Sequence, residues 1–151
     1  MRLNWTGSAP GEALRADLLT RFFDEVVNIM ANNKVMLIED DETMLSLIST
    51  LLEIEGFEIA RLEKDGCLEA IMDCIREEQP AVILLDVHLR RINGFDLLRK
   101  LRQDDELKST HVLMSSGMEL SQQCDQQGAD GFILKPYMPE ELVGKLRSFL
   151  G

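Results

Sequence analysis

The chain has 151 residues, of which 45% are hydrophobic and 28% are charged, as expected of a globular domain with a hydrophobic core and a short appendage. The formal net charge of −11 excludes a nucleic-acid binder that works through a basic surface. No segment is long enough for a transmembrane helix and the N-terminus lacks the apolar core of a signal peptide, so we expect a cytoplasmic protein without membrane contact.

Residues 1–10 have the composition of turns, whereas residues from about 11 to 31 predict an amphipathic helix. We expect residues 1–33 to be an N-terminal extension of a domain that spans residues 34–151. The stripe of apolar side chains on the predicted helix has to be covered, either by the chain's own domain or by a second copy in a homodimer. The stripe consists of Leu14, Leu18, Phe22, Val26 and Met30, with Leu19, Phe23 and Val27 beside them.

From Lys34 onward, apolar strands and amphipathic helices alternate five times with short links. This alternation predicts an α/β fold with a doubly wound parallel sheet of five strands, flanked by five helices. The predicted strands are 34–39, 57–61, 81–86, 111–115 and 131–134, and the predicted helices are 42–55, 65–78, 94–103, 118–127 and 139–150.

The three cysteines are an odd number and lack the spacing of metal ligands, which indicates thiols in a reducing cytoplasm. Cys67 and Cys74 are seven residues apart and are predicted to share one helix face. These two cysteines are interpreted as small core residues.

Polar side chains follow four of the predicted strands at the point where each strand ends. Because the carboxyl ends of parallel strands meet at one edge of a sheet, and ligands bind there, we expect these side chains to form one site. They are Glu39, Asp40 and Asp41 after the first strand, Asp86 after the third, Ser115 and Ser116 after the fourth, and Lys135 after the fifth.

Carboxylates that are brought together repel one another unless a cation lies among them. Oxygen ligands of this kind suit Mg²⁺ with retained waters better than zinc. Asp86, at the end of the most apolar strand, could then act as a nucleophile toward a phosphoryl group. A lysine and a hydroxyl group opposite it would hold the remaining phosphoryl oxygens.

Four segments of the chain also carry a resemblance to a known family. Taken together and in their order along the chain, these segments resemble the receiver domain of two-component response regulators. The resemblance extends from Lys34 to Gly151. The resemblance implies the strand order 2-1-3-4-5. The segments are VMLIEDDE at 35–42, VILLDVHLRRINGFDLLRKLR at 82–102, HVLMSSG at 111–117 and GADGFILKP at 128–136.

The resemblance implies a set of magnesium ligands. Glu39 and Asp40 would be the acidic pair that holds Mg²⁺, Glu39 through a water molecule, while Asp41 falls outside the pair. Asp86 would be a ligand and also the phosphoacceptor. The backbone carbonyl of His88 would complete the metal shell.

Three further residues receive roles from the same resemblance. Ser116 would be the hydroxyl group that moves toward the phosphoryl group, and Phe132 the aromatic side chain that rotates with it. Lys135 would contact the phosphoryl group, and its peptide bond to Pro136 is expected to be cis. The segment between Ser116 and Lys135 is about one helical turn shorter than the family pattern, which puts the family's usual dimer surface in doubt here.

The implied function is a phosphorylation-controlled signalling switch. The chain would accept a phosphoryl group on Asp86 from a histidine kinase or a phosphotransfer protein and signal by protein contact. It would not be an enzyme beyond catalysing its own phosphorylation and dephosphorylation. Whether the chain is a stand-alone receiver or a piece of a larger regulator or hybrid kinase stays open.

Two alternatives stay open as well. The first is a pseudo-receiver, a docking module without phosphate chemistry. The second, less favoured, is a magnesium-dependent phosphohydrolase with an aspartate nucleophile. That chemistry uses a second carboxylate two residues after the nucleophile, where this chain has His88.

Overall fold

A computed structural model describes residues 10–31, 33–62 and 66–150 of the chain. The chain divides into two compact units, Met1–Ala31 and Asn32–Gly151. The helices are α1 (Pro10–Ala31), α2 (Glu42–Ile54), α3 (Leu68–Glu78), α4 (Gly94–Gln103), α5 (Ser121–Gln126) and α6 (Pro139–Leu150). The strands are β1 (Lys34–Ile38), β2 (Glu58–Arg61), β3 (Val82–Asp86), β4 (His111–Ser116) and β5 (Gly131–Leu134).

The five strands form one parallel sheet in the order β2-β1-β3-β4-β5, which confirms the predicted fold and strand order. All five residues of the central strand β3 are buried, because helices cover both faces of the sheet. The register pairs Asp86 with Ser115 and Ser116 with Leu134, so that the carboxyl ends of β3, β4 and β5 lie side by side.

Successive strand residues point to opposite faces of the sheet and so supply two separate cores. On one face, Met36, Ile83, Leu85 and Met114 pack with side chains of α3 and α4, which include Ile71, Ile75, Leu97 and Leu98. On the other face, Val35, Leu37, Leu84 and Leu113 pack with side chains of α2 and α6, which include Ile48, Leu52, Leu142 and Leu146. Helices on both faces make this the doubly wound arrangement that the alternation predicts.

Two predicted helices are shorter in the structure. The segment predicted as a helix over 118–127 forms only the six-residue α5, Ser121–Gln126, of which Cys124 alone is buried. The helix predicted from residue 65 begins at Leu68, and residue 65 lies outside the described part of the chain. The other predicted boundaries agree with the structure to within one residue.

The interpretation of Cys67 and Cys74 as core residues that share a helix face is wrong for Cys67. Cys67 has an extended backbone, directly precedes the first residue of α3 and is exposed, so it does not share a helix face with the half-buried Cys74. The core contacts of α3 are made by Ile71, Met72 and Ile75 instead. Cys124, on α5, is buried.

Among the described helices, none is both apolar enough and long enough to cross a membrane. The longest, α1, has 22 residues and carries many charged side chains.

The three thiols should differ in reactivity. Burial, with a smaller contribution from the charge of Glu119, raises the pKa of Cys124 to about 11. Because the thiolate is the nucleophile, Cys124 should resist iodoacetamide at about pH 8, whereas the exposed Cys67 should be alkylated rapidly. Peptide mass spectrometry over time measures both rates, and a sample in denaturant, where both thiols should react, is the control. Equal rates at the two sites in the folded protein would contradict the described burial of Cys124.

Candidate functional site

One ammonium group joins two carboxylates at the carboxyl edge of the sheet. The Lys135 Nζ donates a hydrogen bond to Glu39 Oε2 at 2.7 Å and another to Asp86 Oδ2 at 3.1 Å. The three side chains are only 19%, 10% and 11% exposed, respectively. The structure thus brings together three of the predicted site residues, which follow or end β5, β1 and β3.

The environment of Lys135 keeps it charged. Burial alone lowers the pKa of Lys135, but hydrogen bonds to Glu39 and Asp86, together with their negative charges, raise it by more. The net pKa therefore lies above the ordinary value for lysine. A permanent positive charge opposite two acids leaves one net negative charge in this group of three side chains.

Asp86 is the last residue of β3 and remains fixed at the edge by its neighbours. The next residue, Val87, donates its backbone N–H to the Ser115 carbonyl at 2.9 Å, which extends the pairing of β3 with β4. The backbone N–H of His88 donates to Asp86 Oδ1 at 3.2 Å. The whole Asp86 residue, backbone included, is 8% exposed, so only a small part of Asp86 reaches the surface.

The acids after β1 take different partners. Glu39 accepts a hydrogen bond from the backbone N–H of Asp41 at 3.1 Å in addition to the one from Lys135. Asp40 accepts a short hydrogen bond from the backbone N–H of Arg90, which ties it to the loop after β3. Asp41 instead caps α2, since its Oδ1 accepts the Met44 N–H at 2.9 Å. Asp41 is thereby used in local structure.

Ser116 ends β4 with its side chain fully buried. Its Oγ accepts a hydrogen bond from the Met118 N–H at 3.0 Å, and its carbonyl accepts one from the Lys135 N–H at 2.8 Å. The main chains of Ser116 and Lys135 are therefore adjacent at the site. The peptide bond between Lys135 and Pro136 is cis, which confirms that expectation.

The two remaining predicted residues flank these groups. His88 is exposed and forms an isolated bridge with Asn93, which closes the loop between β3 and α4. Phe132, on β5, is half-buried and packs against the core that contains α3 and α4. The role of its ring as a rotating group stays a prediction.

The oxygen atoms at this edge of the sheet determine which metal ion could bind there. Within residues 10–31, 33–62 and 66–150, no three His, Cys, Asp or Glu side chains are grouped closely enough to hold a metal ion among themselves. Magnesium, however, binds proteins through one or two carboxylates and keeps several waters. Asp40 and Asp86, with the backbone carbonyl of His88, supply hard oxygen donors of that kind. The residues present therefore fit Mg²⁺ and lack the soft ligands that zinc prefers.

Sequence reasoning missed two residues beside the site. The Tyr137 hydroxyl is buried and has no hydrogen-bond partner among the described residues. Burial raises the pKa of Tyr137 to about 12, with the Lys135 charge opposing this shift and those of Glu39 and Asp86 adding to it. Its position directly after Lys135-Pro136 was the available signal.

Gly94 is the second residue that was missed. A Cβ at this position would lie 2.5 Å from the Asp86 carbonyl oxygen and 2.9 Å from the Val87 Cα. Only glycine therefore lets the start of α4 lie against the backbone that carries Asp86. The signal was the Asn93-Gly94 pair, where the Asn93 side chain accepts the Phe95 N–H at 2.8 Å and begins the helix.

Comparison with known proteins assigns the family. The family model described as the response regulator receiver domain matches residues 35–147. This chain belongs to the response regulator receiver family. Receiver domains are signalling modules of two-component systems, so membership supports phosphorylation-controlled signalling in general terms.

Individual relatives agree with this assignment. The chain is 36% identical over 121 residues to the transcriptional regulatory protein CpxR of Escherichia coli K12, covering 78% of this chain and 49% of CpxR. It therefore spans about half the length of that relative. It is 32% identical over 120 residues to the polar-differentiation response regulator DivK of Brucella anthropi, covering 78% of this chain and 95% of DivK.

Solved structures show the same fold. A putative response regulator from Chloroflexus aurantiacus is 26% identical, with a TM-score of 0.70 over 78% of this chain and 97% of its own. The receiver domain of sensor histidine kinase PA1611 from Pseudomonas aeruginosa shares the fold at 18% identity, with a TM-score of 0.68 over 79% of this chain and 98% of its own. That protein holds a magnesium ion coordinated in its active-site cleft.

Gly94→Ala should destabilise the protein, because the added methyl group meets backbone atoms that cannot move aside like a flexible side chain. We expect a loss of about 2 kcal/mol in the free energy of unfolding, measured by urea denaturation.

Gly144→Ala is the matched control, because a Cβ at Gly144, inside α6, would meet nothing within 4 Å. It should be neutral or stabilising by up to about 1 kcal/mol. Equal unfolding midpoints for the two variants would show that Gly94 does not fix the Asp86 backbone.

Proposed function

We propose that this chain is a phosphorylation-controlled switch that accepts a phosphoryl group on Asp86 from a phosphohistidine. The observation that carries the proposal is the ammonium group of Lys135 between the carboxylates of Glu39 and Asp86 at the carboxyl edge of the sheet. These three residues follow or end three different strands, at the edge where open α/β sheets bind their ligands. Family membership supports the same conclusion.

Asp86 is the nucleophile in this proposal. One of its carboxylate oxygens attacks the phosphorus atom, the bond between phosphorus and the donor's imidazole nitrogen breaks, and its electron pair stays on the ring. The His88 N–H holds the carboxylate in place through Oδ1 during this step. Because Asp86 is nearly buried, few water molecules can reach the resulting acyl phosphate and hydrolyse it.

Lys135 and Ser116 receive the transferred group. The Lys135 ammonium already contacts Asp86 and can pair with a phosphoryl oxygen without losing its charge. The Ser116 hydroxyl now accepts the Met118 N–H, and we propose that it turns toward a phosphoryl oxygen to donate instead. Phe132, on the neighbouring strand, would repack when Ser116 moves. This repacking would change the protein surface that a partner contacts.

Mg²⁺ would be held by the side chains of Asp40 and Asp86 and by the backbone carbonyl of His88. Glu39 would contact the ion through a water molecule. A magnesium ion held there would neutralise charge on the transferring phosphoryl group. The short hydrogen bond from the Arg90 N–H orients Asp40 toward the loop that carries the His88 carbonyl. Glu39 is held near this position by Lys135 and by the Asp41 N–H.

A histidine kinase or a phosphotransfer protein is the proposed donor, and a downstream protein is the proposed target. Within this proposal the chain catalyses only its own phosphorylation and dephosphorylation. Recognition of nucleic acid by this domain is not proposed, because the net charge of the whole chain is −11.

Intact-protein mass spectrometry after incubation with acetyl phosphate tests the proposal. With Mg²⁺ the chain should gain the mass of one phosphoryl group, and without Mg²⁺ the yield should fall at least about tenfold, since the metal stabilises the transferring charge. Asp86→Asn should gain no mass, because an amide oxygen cannot form the acyl phosphate.

Asp96→Asn is the matched control, since Asp96 is exposed on α4 and pairs only with Arg99 at 3.0 Å among the described contacts. It should be phosphorylated like the parent chain. A mass gain that persists in Asp86→Asn would place the phosphoryl group elsewhere. Absence of any gain with Mg²⁺, together with absence of Mg²⁺ binding, would make the chain a docking module without phosphate chemistry.

A further inference from the structure

Helix α1 exposes large apolar side chains that the phosphorylation site does not use. Leu14, Leu18, Leu19 and Phe22 are 58–66% exposed, and so are Phe23 and Val27. Singly exposed apolar residues are ordinary, but six on one helix of 22 residues indicate a surface that binds a partner.

Charged residues bound the central part of this surface. Arg15, Leu18, Phe22 and Glu25 succeed one another at intervals of three, four and three residues, so they form one line along the helix. The same four residues, with Leu19 and Arg21, line one surface groove on α1. We call these six residues the α1 seam. A basic residue stands at its N-terminal end and an acidic residue at its C-terminal end.

The α1 seam is complementary to itself when a second copy runs in the opposite direction. With Thr20 of one helix opposite Thr20 of the other, Arg15 faces Glu25 of the copy and Leu18 faces its Phe22. Leu19 then faces Arg21, whose aliphatic stem can cover it. Every residue of the α1 seam has a partner within the same set, as a two-fold interface requires.

A parallel arrangement in register lacks this complementarity. It would set Arg15 against Arg15 and Glu25 against Glu25 on the line that has to be buried, and like charges across an interface are repulsive. The antiparallel arrangement makes two Arg15–Glu25 ion pairs in place of these two repulsions. The distribution of charge therefore selects the antiparallel partner.

The exposed surface of α1 is large enough for such a pair of helices. The α1 seam contributes three exposed apolar side chains and the stems of two arginines, and the exposed Leu14 lies on the same side of the helix, four residues before Leu18. Together these groups would bury roughly 600 Å² on each helix, or about 1,200 Å² in total, the lower bound for a stable, specific interface. Phe23 and Val27 lie to one side of the α1 seam and are not needed for this contact.

We propose that α1 binds α1 of a second copy of this chain, antiparallel and two-fold symmetric, through the α1 seam. The proposal is independent of phosphorylation at Asp86, because α1 belongs to a separate compact unit of the chain.

Analytical ultracentrifugation of the full chain over about a hundredfold range of concentration should show a monomer–dimer equilibrium. Phe22→Glu should weaken the dimer at least about a hundredfold, because it buries two carboxylates in the seam. Phe23→Glu is the matched control, since it makes the same change on the adjacent residue outside the seam, and it should leave the dimer within about threefold. An unchanged urea midpoint of the sheet-containing unit shows that the variants are folded.

Charge reversal tests the direction of the helices. Arg15→Glu should weaken the dimer roughly tenfold, because both ion pairs become repulsive, and the double variant Arg15→Glu/Glu25→Arg should restore it. A monomeric full chain would overturn the proposal, as would equal losses from Phe22→Glu and Phe23→Glu. Insensitivity of the dimer to Arg15→Glu would overturn the antiparallel arrangement.

Discussion

The charge balance at the sheet edge depends on one ammonium group. Without the positive charge of Lys135, the nearly buried carboxylates of Glu39 and Asp86 would face each other with no cation between them among the described residues, which is strongly unfavourable. With it, both acids stay at the edge, and one of them is available as a nucleophile. The same contact therefore serves stability and the proposed chemistry.

This contact exists because of the parallel sheet. The register aligns the carboxyl ends of β3, β4 and β5, and the backbone bond from Lys135 to Ser116 extends that alignment by one residue. The close approach of Gly94 to the Asp86 carbonyl holds the loop after β3 against the strand. Apolar packing on both faces of the sheet thus holds the polar groups at its edge within hydrogen-bond distance of one another.

The sequence predicted most of the fold because buried parallel strands are short, apolar and separated by amphipathic helices. It also predicted which residues lie at the edge, since strand ends and their order follow from topology. It did not predict that Cys67 precedes α3 or that α5 has only six residues, because weak periodicity leaves helix ends undetermined. The buried Tyr137 hydroxyl and the tight packing of Gly94 depend on tertiary contacts that no local pattern encodes.

A double-mutant cycle between Lys135 and Asp86 most directly tests whether this ammonium group balances the edge. In the parent chain, Lys135→Met should lower the free energy of unfolding in urea at neutral pH by about 2 kcal/mol, because it leaves two acids without their cation. In the Asp86→Asn background, where one of the two charges is already gone, the same substitution should cost at least about 1 kcal/mol less. Equal losses in both backgrounds would contradict the account, since Lys135 would then not be coupled to Asp86.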